Sequence, residues 1–336
     1  MKFKSDVPSR IIVEIAIGVM LSILLAELLS LKNTSSAGIT TILTIQMTRK
    51  ETIKDSMIRL IAFILMISLT FIVFKAIGFT AYGYAIFLAL YVIIGLYFNM
   101  RSGLSSNAVL ASHILAEGVF SVEIVQNEFL IMLIGAGVGV LLNIIIPLKH
   151  IPLEYYHEKI ERDLHNILKM ISKRFIYDKG EEQDLKICAM NHDIKEEIKR
   201  LQYQLDQYYE KIVYVEDNYL NKDFKDRKKH LEMRRKQAEI LQSLWYNVSD
   251  ASFVGKQNDD IVRIMEKLQY DLYHPEELSR LKEDLDCIIE LFHKEDSATT
   301  KEEFQYRANL LMIINNLDAL IIEKMNYLKD KKEGNN

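Results

Sequence analysis

Long apolar runs separated by short polar turns fill the first 150 residues of the chain. Ile11–Leu31, Met57–Ile77 and Phe129–Leu148 each have enough residues to cross about 30 Å of hydrocarbon at about 1.5 Å per residue. Tyr84–Phe98 is a shorter run, and Ser121–Glu128 predicts an acidic loop before the last one. Because hydrocarbon cannot satisfy backbone N–H and C=O groups, continuous runs of this kind predict membrane-spanning helices.

Charge divides the chain into two unlike halves. Residues 1–150 contain 11 Lys/Arg and 8 Asp/Glu, whereas residues 151–336 contain 31 and 38. We therefore expect a transmembrane domain over 1–150, a cytosolic helical domain over 151–330 and a disordered tail over 331–336. The two cysteines, Cys188 and Cys287, are too few for a disulfide framework, which fits a reducing compartment for the charged half.

Two short polar segments interrupt the apolar half. Ser35–Met47 and Ser105–Glu117 begin about 70 residues apart, both open with Ser-Ser, and both lie between apolar runs. Ser105–Glu117 is too polar to face lipid, so at membrane depth it must face protein or a water-filled cavity. Ser35–Met47 is also rich in hydroxyls and is short, strongly tilted or partly re-entrant. The recurrence predicts two three-span repeats with these segments at their functional centre.

Basic residues in the loops predict the orientation of the spans. With six crossings, only Lys32 and Lys75 fall on one side, and the other side holds Lys2, Lys4, Arg10, Arg49, Lys50, Lys54, Arg59, Arg101 and Lys149. Both termini are therefore expected in the cytoplasm. Three spans per copy invert the second copy, and inverted repeats are common among secondary transporters.

The second polar segment predicts a proton path. Ser106, His113 and Glu117 lie within about 40° of one another around a helix, since successive residues advance by about 100°. Histidine changes its charge near neutral pH, and a carboxylate four residues later offers the proton a second position. A polar patch between packed helices, or an interfacial Glu117, is the alternative.

The first polar segment contributes hydroxyl groups. Ser36, Thr40, Thr44 and Met47 share one helical face, and Gln46 directly precedes Met47. We take Ser36, Thr40, Thr44 and Gln46 as candidate contacts for a substrate or for protons.

Three arginines lie near the polar segments on the predicted cytoplasmic side: Arg49, Arg59 and Arg101. A guanidinium can bind a carboxylate through two parallel hydrogen bonds, so a cytosolic organic anion is a candidate ligand. Arg101, which directly precedes the second polar segment, is the candidate for this role. The excess of basic residues in cytoplasmic loops explains all three arginines without a ligand.

The charged half predicts an antiparallel bundle of amphipathic helices. Thr300 with Glu303 matches a capping box before the last helix. No strand pattern competes, so the whole chain is expected to be all-α. Apolar residues recur at helical spacing in two stretches: Leu164, Ile167, Leu168 and Ile171; and Ile194, Ile198, Leu201, Leu205, Tyr208, Ile212 and Val215.

The remaining motifs of the charged half predict no cofactor, metal or nucleic acid. His157, Glu161 and His165 recur four residues apart, but on a charged helix they indicate a solvated face. Asp226 and Glu232 interrupt the basic run 225–236, which argues against nucleic acid and leaves anionic lipid headgroups as a partner. Paired carboxylates, a nucleophile elbow and a phosphate loop are not recognisable in the sequence, so we do not expect an enzyme.

Three features carry a resemblance to a known family. They are the N-terminal Arg10–Gly18, the Ser/Thr-rich Ala37–Gln46 followed by Thr48-Arg49, and the helical region after Pro152. Together they resemble the aromatic acid exporter family, which is related to fusaric-acid-resistance proteins. The resemblance covers essentially the whole chain and implies a bacterial inner-membrane protein with six spans, a C-terminal helical domain and efflux of aromatic carboxylates.

Two functions are consistent with this organisation. The first is export of small aromatic carboxylates or similar organic anions, driven by protons or by the membrane potential, with the homo-oligomeric state left open. The second is a membrane-anchored helical scaffold that binds or regulates other proteins without transport. They differ in whether the polar residues at membrane depth are needed.

Overall fold

The computed structural model describes residues 9–147, 150–176, 181–219, 223–249, 258–271, 277–294 and 298–333. Over these residues the chain is all-helical and has no strand, as predicted. The helices are α1 (Ser9–Leu28), α2 (Ser35–Thr44), α3 (Arg49–Ile77), α4 (Ala81–Tyr97), α5 (Arg101–Glu117), α6 (Val122–Ile145), α7 (Leu153–Ile176), α8 (Glu181–Asn218), α9 (Lys225–Ser249), α10 (Asn258–Asp271), α11 (Leu278–His293) and α12 (Lys301–Glu333).

Three of the described helices are long and apolar enough to cross a membrane: α1 from Arg10 onward, α3 and α6. α4 is apolar but has only 17 residues. The two polar segments form α2 and α5, which have 10 and 17 residues. The chain is therefore a helical membrane protein, while six crossings and inverted repeats remain predictions.

The helices belong to two compact units. The first comprises residues 1–150 and 214–222, and the second comprises residues 151–213 and 223–336. Helices α1–α6 lie in the first unit. Helices α7 and α9–α12, with most of α8, lie in the second unit.

In the first unit, α2 packs closely against α6 because glycines of α6 face it. A Cβ on Gly135 would lie 2.6 Å from the carbonyl oxygen of Ala37, and one on Gly139 would lie 2.9 Å from Cγ2 of Thr44. A Cβ on Gly137 would meet nothing within 4 Å. Two glycines of α6 thus permit the close helix approach that small residues provide in membrane proteins.

Helices α3, α4 and α5 form a second packed group of the first unit. A Cβ on Gly103 of α5 would lie 2.5 Å from the Cβ of Ala62 on α3. The hydroxyl of Tyr91 on α4 lies 3.2 Å from the carbonyl oxygen of Ala62 and 3.3 Å from that of Gly103, so it can donate to either. This buried hydroxyl joins all three helices.

Helix α6 contains the stretch that the sequence predicts as an acidic loop. The helix begins at Val122, where the side chain of Ser121 accepts a hydrogen bond from the backbone N–H of Ile124 (3.4 Å). Glu123 lies in the first turn, where a carboxylate faces the positive end of the helix dipole. The loop prediction is wrong because serine and glutamate at these positions cap a helix.

Apolar faces hold the second unit together. Every apolar position predicted at helical spacing in 164–171 and 194–215 is buried. Helix α9 packs against α7 and α12, and α10 packs against α7 and α11. Thr300 accepts from the N–H of Glu303 (3.1 Å), as expected for the start of α12. The helix continues to Glu333, so residues 331–333, expected in the tail, are helical.

Candidate functional site

The buried face of α2 consists of hydroxyl groups. Ser36, Thr40 and Thr44 are each at most 4% exposed. Oγ1 of Thr40 donates to the carbonyl oxygen of Ser36 (2.9 Å), and Oγ1 of Thr44 donates to that of Thr40 (2.7 Å). Each threonine hydroxyl therefore bonds to the carbonyl one turn earlier and still offers an oxygen lone pair to another donor.

At the start of α2, Ser36 joins residues of α5 and α6 in what we call the histidine cluster: Ser36, His113, Asn127 and Glu128. Oγ of Ser36 lies 3.2 Å from Nε2 of His113, and Nδ1 of His113 lies 2.7 Å from Oε2 of Glu128. Nδ2 of Asn127 donates to Oε1 of Glu128 (3.0 Å). Glu128 is 1% exposed, so an imidazole and an amide hold a buried carboxylate.

The histidine cluster can hold a proton in two ways. With Glu128 ionised, Nδ1 of His113 carries the proton that it donates, and Nε2 of a neutral imidazole accepts from the hydroxyl of Ser36. In the imidazolium, both ring nitrogens donate, and Oγ of Ser36 accepts. A serine hydroxyl can rotate between donating and accepting. His113 can therefore gain or lose a proton while its hydrogen bonds are kept.

A serine, a histidine and a carboxylate in this order also occur in hydrolases that use serine as a nucleophile. In such enzymes, backbone N–H groups near the serine stabilise the oxyanion. Here the N–H of Ser36 donates to the carbonyl oxygen of Asn33 (2.9 Å), and that of Ala37 donates to Thr34 (3.1 Å). These two donors are occupied, so the geometry favours holding a proton over nucleophilic attack.

The other end of α2 contacts what we call the arginine cluster: Thr40, Leu43, Thr44, Arg59 and Ser102. Arg59, on α3, is 1% exposed. Nη1 donates to the carbonyl oxygen of Thr40 (3.1 Å) and to Oγ1 of Thr44 (2.8 Å). Nη2 donates to the carbonyl oxygens of Leu43 (2.8 Å) and Ser102 (3.0 Å). The guanidinium thus bonds the carbonyl oxygen of Leu43, which lies in the last turn of α2, where carbonyl groups have no helical partner.

Arg59 forms no ion pair with any residue that the structure describes, although Asp55 contributes to its electrostatic field. Its Nε is buried without a hydrogen-bond partner, and so are Oγ of Ser102 and Oδ1 of Asn107. Buried polar atoms without partners are rare and require an explanation such as a bound molecule. A guanidinium that forms no ion pair and keeps a free N–H is the kind of group that binds a small anion.

A third buried polar group joins α1 to the end of α6. The carboxylate of Glu14 is fully buried, pairs with Arg10 one turn earlier, and accepts from Nδ2 of Asn143 (2.9 Å). Arg10 and Arg49 both donate to the carbonyl oxygen of Asn143 (2.8 and 3.3 Å), and Arg49 also donates to that of Ile144 (2.7 Å). These arginines stabilise the C-terminal turn of α6, which gives Arg49 a structural role.

The polar stripe predicted on α5 is not one connected group. Glu117 is exposed and pairs with Nζ of Lys32 (2.7 Å). His113 bonds Glu128 of α6 instead. The expected pair of His113 with Glu117 does not form. Helix α6 brings the buried carboxylate of Glu128 to the imidazole, and Glu117 lies at the exposed end of α5.

The other predicted residues lie outside the two clusters. Ser106 is buried, and its hydroxyl donates to the carbonyl oxygen of Gly103 in its own helix (3.4 Å). Arg101 is exposed at the start of α5. Gln46 follows the end of α2, where Nε2 donates to the carbonyl oxygen of Leu43 (3.1 Å) and the backbone N–H donates to Oγ1 of Thr52 (3.0 Å).

Glu128 is the residue of the histidine cluster that the sequence analysis missed. A signal for it exists in the spacing of α6. Gly135 and Gly139 follow Glu128 by seven and eleven residues, which places all three on one helical face. A carboxylate on the face that packs against another helix is expected to be buried.

In the second unit, three potential metal ligands come together. One ligand atom each of His157, Glu161 and His230 lies within 4.8 Å of the others. Both carboxylate oxygens of Glu161 accept from Arg234, with Oε1 at 2.7 Å from Nε. His165 is predicted on the same face, and its Nδ1 lies 3.1 Å from the carbonyl oxygen of Gln269 on α10. The carboxylate of Glu161, which a metal ion would need as a ligand, is therefore already bound by the guanidinium of Arg234.

Comparison with known proteins covers both units. Residues 7–146 match the family model of aromatic acid exporter family member 1. Residues 151–325 match the model of the aromatic acid exporter C-terminal domain. The chain is also 26% identical over 320 residues to a Bacillus subtilis (strain 168) protein described as "Uncharacterized protein YqjA", an alignment that covers 95% of this chain and 96% of that protein.

Proposed function

Because the chain belongs to the aromatic acid exporter family, we propose that it exports small aromatic carboxylates or similar organic anions, driven by protons or by the membrane potential. In this proposal Arg59 supplies the positive charge for the anion. His113 and Glu128 hold the proton. The bilayer and the anion are the partners, and the chain uses no cofactor and catalyses no reaction.

One observation carries the proposal: the hydroxyl face of α2 joins the two clusters. Ser36 contacts His113, and Thr44 accepts from Arg59. Eight residues of helix extend about 12 Å at about 1.5 Å per residue. An uncompensated guanidinium and a titratable pair thus lie along one buried face. Such groups inside membrane proteins are characteristic of substrate and proton pathways.

Electrostatics couples the two ends of this face. A carboxylate bound near Arg59 would use the free Nε–H and the hydroxyl of Ser102. Unit charges about 12 Å apart interact by about 1.4 kcal/mol at an effective dielectric constant of about 20, which is about a tenfold change in an equilibrium. The charge at one end of this face therefore affects the equilibria at the other end.

The proposal includes the predicted topology. Six crossings in two inverted three-span repeats make α2 and α5 corresponding helices, and the contact between Ser36 and His113 then joins the two repeats. Both termini and the second unit, a helical bundle, lie in the cytoplasm, and the protein lies in the bacterial inner membrane. A binding site at the interface of the repeats is typical of inverted-repeat transporters.

Flux measurements in proteoliposomes test the proposal. We expect radiolabelled phthalate, a dianionic aromatic acid that crosses lipid slowly, to move through the protein faster than through protein-free vesicles. A pH gradient without a membrane potential, and a potassium diffusion potential without a pH gradient, separate the two driving forces. Flux equal to that of protein-free vesicles under both conditions would contradict export of this class of anion.

The alternative of a membrane-anchored scaffold makes the opposite prediction. If the chain only binds or regulates other proteins, His113→Gln and Glu128→Gln leave its cellular effect intact, and no gradient drives phthalate flux. Deletion of the second unit would then abolish the effect. Under the export hypothesis, by contrast, the polar clusters of the first unit are required.

A further inference from the structure

The second unit contains an open cavity of about 500 Å³ whose walls combine cations and aromatic rings with two carboxylates, those of Glu154 and Asp226. Its volume lies in the range of small-molecule sites. Helices α7, α8, α9 and α12 contribute the walls, which include His157, Tyr208, Arg227, His230, Lys324 and Tyr327.

Lys324 is a buried cation of this cavity, and Glu161 is the acid that acts on its charge. The residue is 8% exposed, yet its Nζ forms no hydrogen bond or ion pair with any residue that the structure describes. Nζ lies 5.9 Å from the ring centre of Tyr327. Burial, reinforced by the charge of Arg234, lowers the pKa of Lys324 to about 8. Lysine is almost never buried unless it is paired, so this ammonium indicates a missing anion.

The neighbouring arginines already have acidic partners. Arg234 forms two hydrogen bonds with the carboxylate of Glu161, and Arg227 pairs with Glu154. The positive charge of Lys324 therefore remains for a ligand.

A metal ion at the histidine pair is the competing occupant of this region. His230 is neutral at pH 7, because burial first and the charge of Arg234 second lower its pKa to about 2. Neutral imidazoles can ligate metals. However, a divalent cation there would lie close to the positive charges of Arg234 and Lys324, which repel it. The same charges attract an anion.

The aromatic side chains indicate the rest of the ligand. The rings of His230 and Tyr327 have centroids 5.3 Å apart in an edge-to-face arrangement, and Tyr208 also lines the cavity. Such rings favour contact with another aromatic ring. We propose that this cavity binds a small aromatic carboxylate, with the carboxylate on Lys324 and the ring against Tyr327 and His230. The site is separate from that of the first unit and does not depend on the proposed function.

The single tryptophan of the chain, Trp245, provides a test, because it is buried in α9 of the second unit. Thermal unfolding of the full-length protein in detergent is followed by Trp245 fluorescence with sodium benzoate, sodium acetate, benzamide or zinc chloride. We expect benzoate to raise the midpoint by about 2–4 °C. Acetate, which lacks the ring, and benzamide, which lacks the charge, should give much smaller shifts.

Matched variants of α12 identify the site. Lys324→Met keeps most of the side-chain length but removes the charge, so the benzoate shift should disappear. Lys329→Met removes an exposed charge from the same helix and should keep the shift. No benzoate shift in the wild type, an equal shift with benzamide or acetate, or an unchanged shift in Lys324→Met would overturn the proposal. So would stabilisation by zinc chloride alone.

The same measurements separate this site from the proposed export. Arg59→Lys alters the first unit and should leave the benzoate shift of Trp245 unchanged. Absence of phthalate flux with an intact, Lys324-dependent shift contradicts export alone. Intact flux without any shift contradicts the cavity alone.

Discussion

Nδ1 of His113 lies 2.7 Å from Oε2 of Glu128, although the two residues belong to different helices and Glu117 is the nearer acid along the chain. Glu128 is buried, whereas Glu117 is exposed in an ion pair with Lys32. Removal of the carboxylate of Glu128 should therefore affect transport, whereas removal of that of Glu117 should not.

We predict that His113→Gln and Glu128→Gln each reduce gradient-driven phthalate flux to the level of protein-free vesicles. Glutamine keeps a hydrogen bond at either position but cannot take up or release a proton in this pH range. Initial flux rates at equal protein content in proteoliposomes measure the effect.

The matched control is Glu117→Gln, which removes an exposed carboxylate from the same helix as His113. Exposed ion pairs contribute at most about 1 kcal/mol, so this variant should keep wild-type flux and stability. Loss of flux in Glu117→Gln together with normal flux in Glu128→Gln would reverse our assignment of the proton-holding acid.

A second prediction compares two glycines of α6. Gly135→Ala should destabilise the first unit by about 1–3 kcal/mol, because its Cβ would lie 2.6 Å from the carbonyl oxygen of Ala37. Gly137→Ala meets nothing within 4 Å and should be neutral or stabilising. Size-exclusion chromatography after heating in detergent compares the fractions of intact protein. Equal losses in both variants would contradict the close packing of α2 on α6.

A third prediction concerns the shape of the Arg59 side chain. Its two terminal nitrogens donate to four acceptors on α2 and at the start of α5. A lysine ammonium cannot reach all four, and each lost hydrogen bond to a charged donor costs about 1.5–3 kcal/mol. Arg59→Lys should lower both thermal stability and phthalate flux. Arg101→Lys changes an exposed arginine and should lower neither.

A fourth prediction concerns topology. After Cys188→Ser and Cys287→Ser, single cysteines placed at residues 48, 99 and 150 should react only with membrane-permeant reagents in intact cells. Cysteines at residues 33, 79 and 119 should react with impermeant reagents added outside. The reason is the excess of basic residues on one side of six crossings. Outside labelling at residue 99 would contradict inverted repeats.

A fifth prediction follows from the low pKa of His230. Burial first, and Arg234 second, lower this pKa to about 2, whereas an unfolded histidine has a pKa near 6.5. Between these values the unfolded state binds more protons. The free energy of unfolding of the second unit therefore falls with decreasing pH below about 6.5, by up to about 1.4 kcal/mol per pH unit from this residue.

Urea unfolding followed by Trp245 fluorescence at pH 7 and pH 5 measures this loss in the full-length protein. His230→Gln should lose less stability than the wild type between the two pH values, because glutamine does not titrate. An equal loss in both proteins would show that His230 is not buried in its neutral form.

Features that repeat along a single helix could be predicted from the sequence. The hydroxyl face of α2 follows from helical spacing, as do the buried faces of α7 and α8. In each case the periodicity of one helix determines which residues face a neighbour, whatever that neighbour is.

Contacts between helices could not be predicted in the same way. Glu117 is the acid that local spacing assigns to His113, and the choice of Glu128 depends on how α5 and α6 pack. Arg59 counts as a basic residue near a loop in the sequence, where the positive-inside bias explains it. Its burial depends on α2 ending at Thr44, which exposes carbonyl groups that a neighbouring guanidinium can satisfy.

The buried carboxylate of Glu14 has a consequence for biosynthesis. One of its partners, Arg10, leaves the ribosome just before it, but the other, Asn143, is made about 130 residues later. Until Asn143 is made, Oε2 of Glu14 lacks the amide that donates to it in the folded protein. The arrival of α6 supplies it and brings carbonyl groups for Arg10 and Arg49. Insertion of α6 thus supplies the last hydrogen bond to the buried carboxylate of α1. Chains on ribosomes stalled before Asn143 should therefore hold α1 in the membrane less stably.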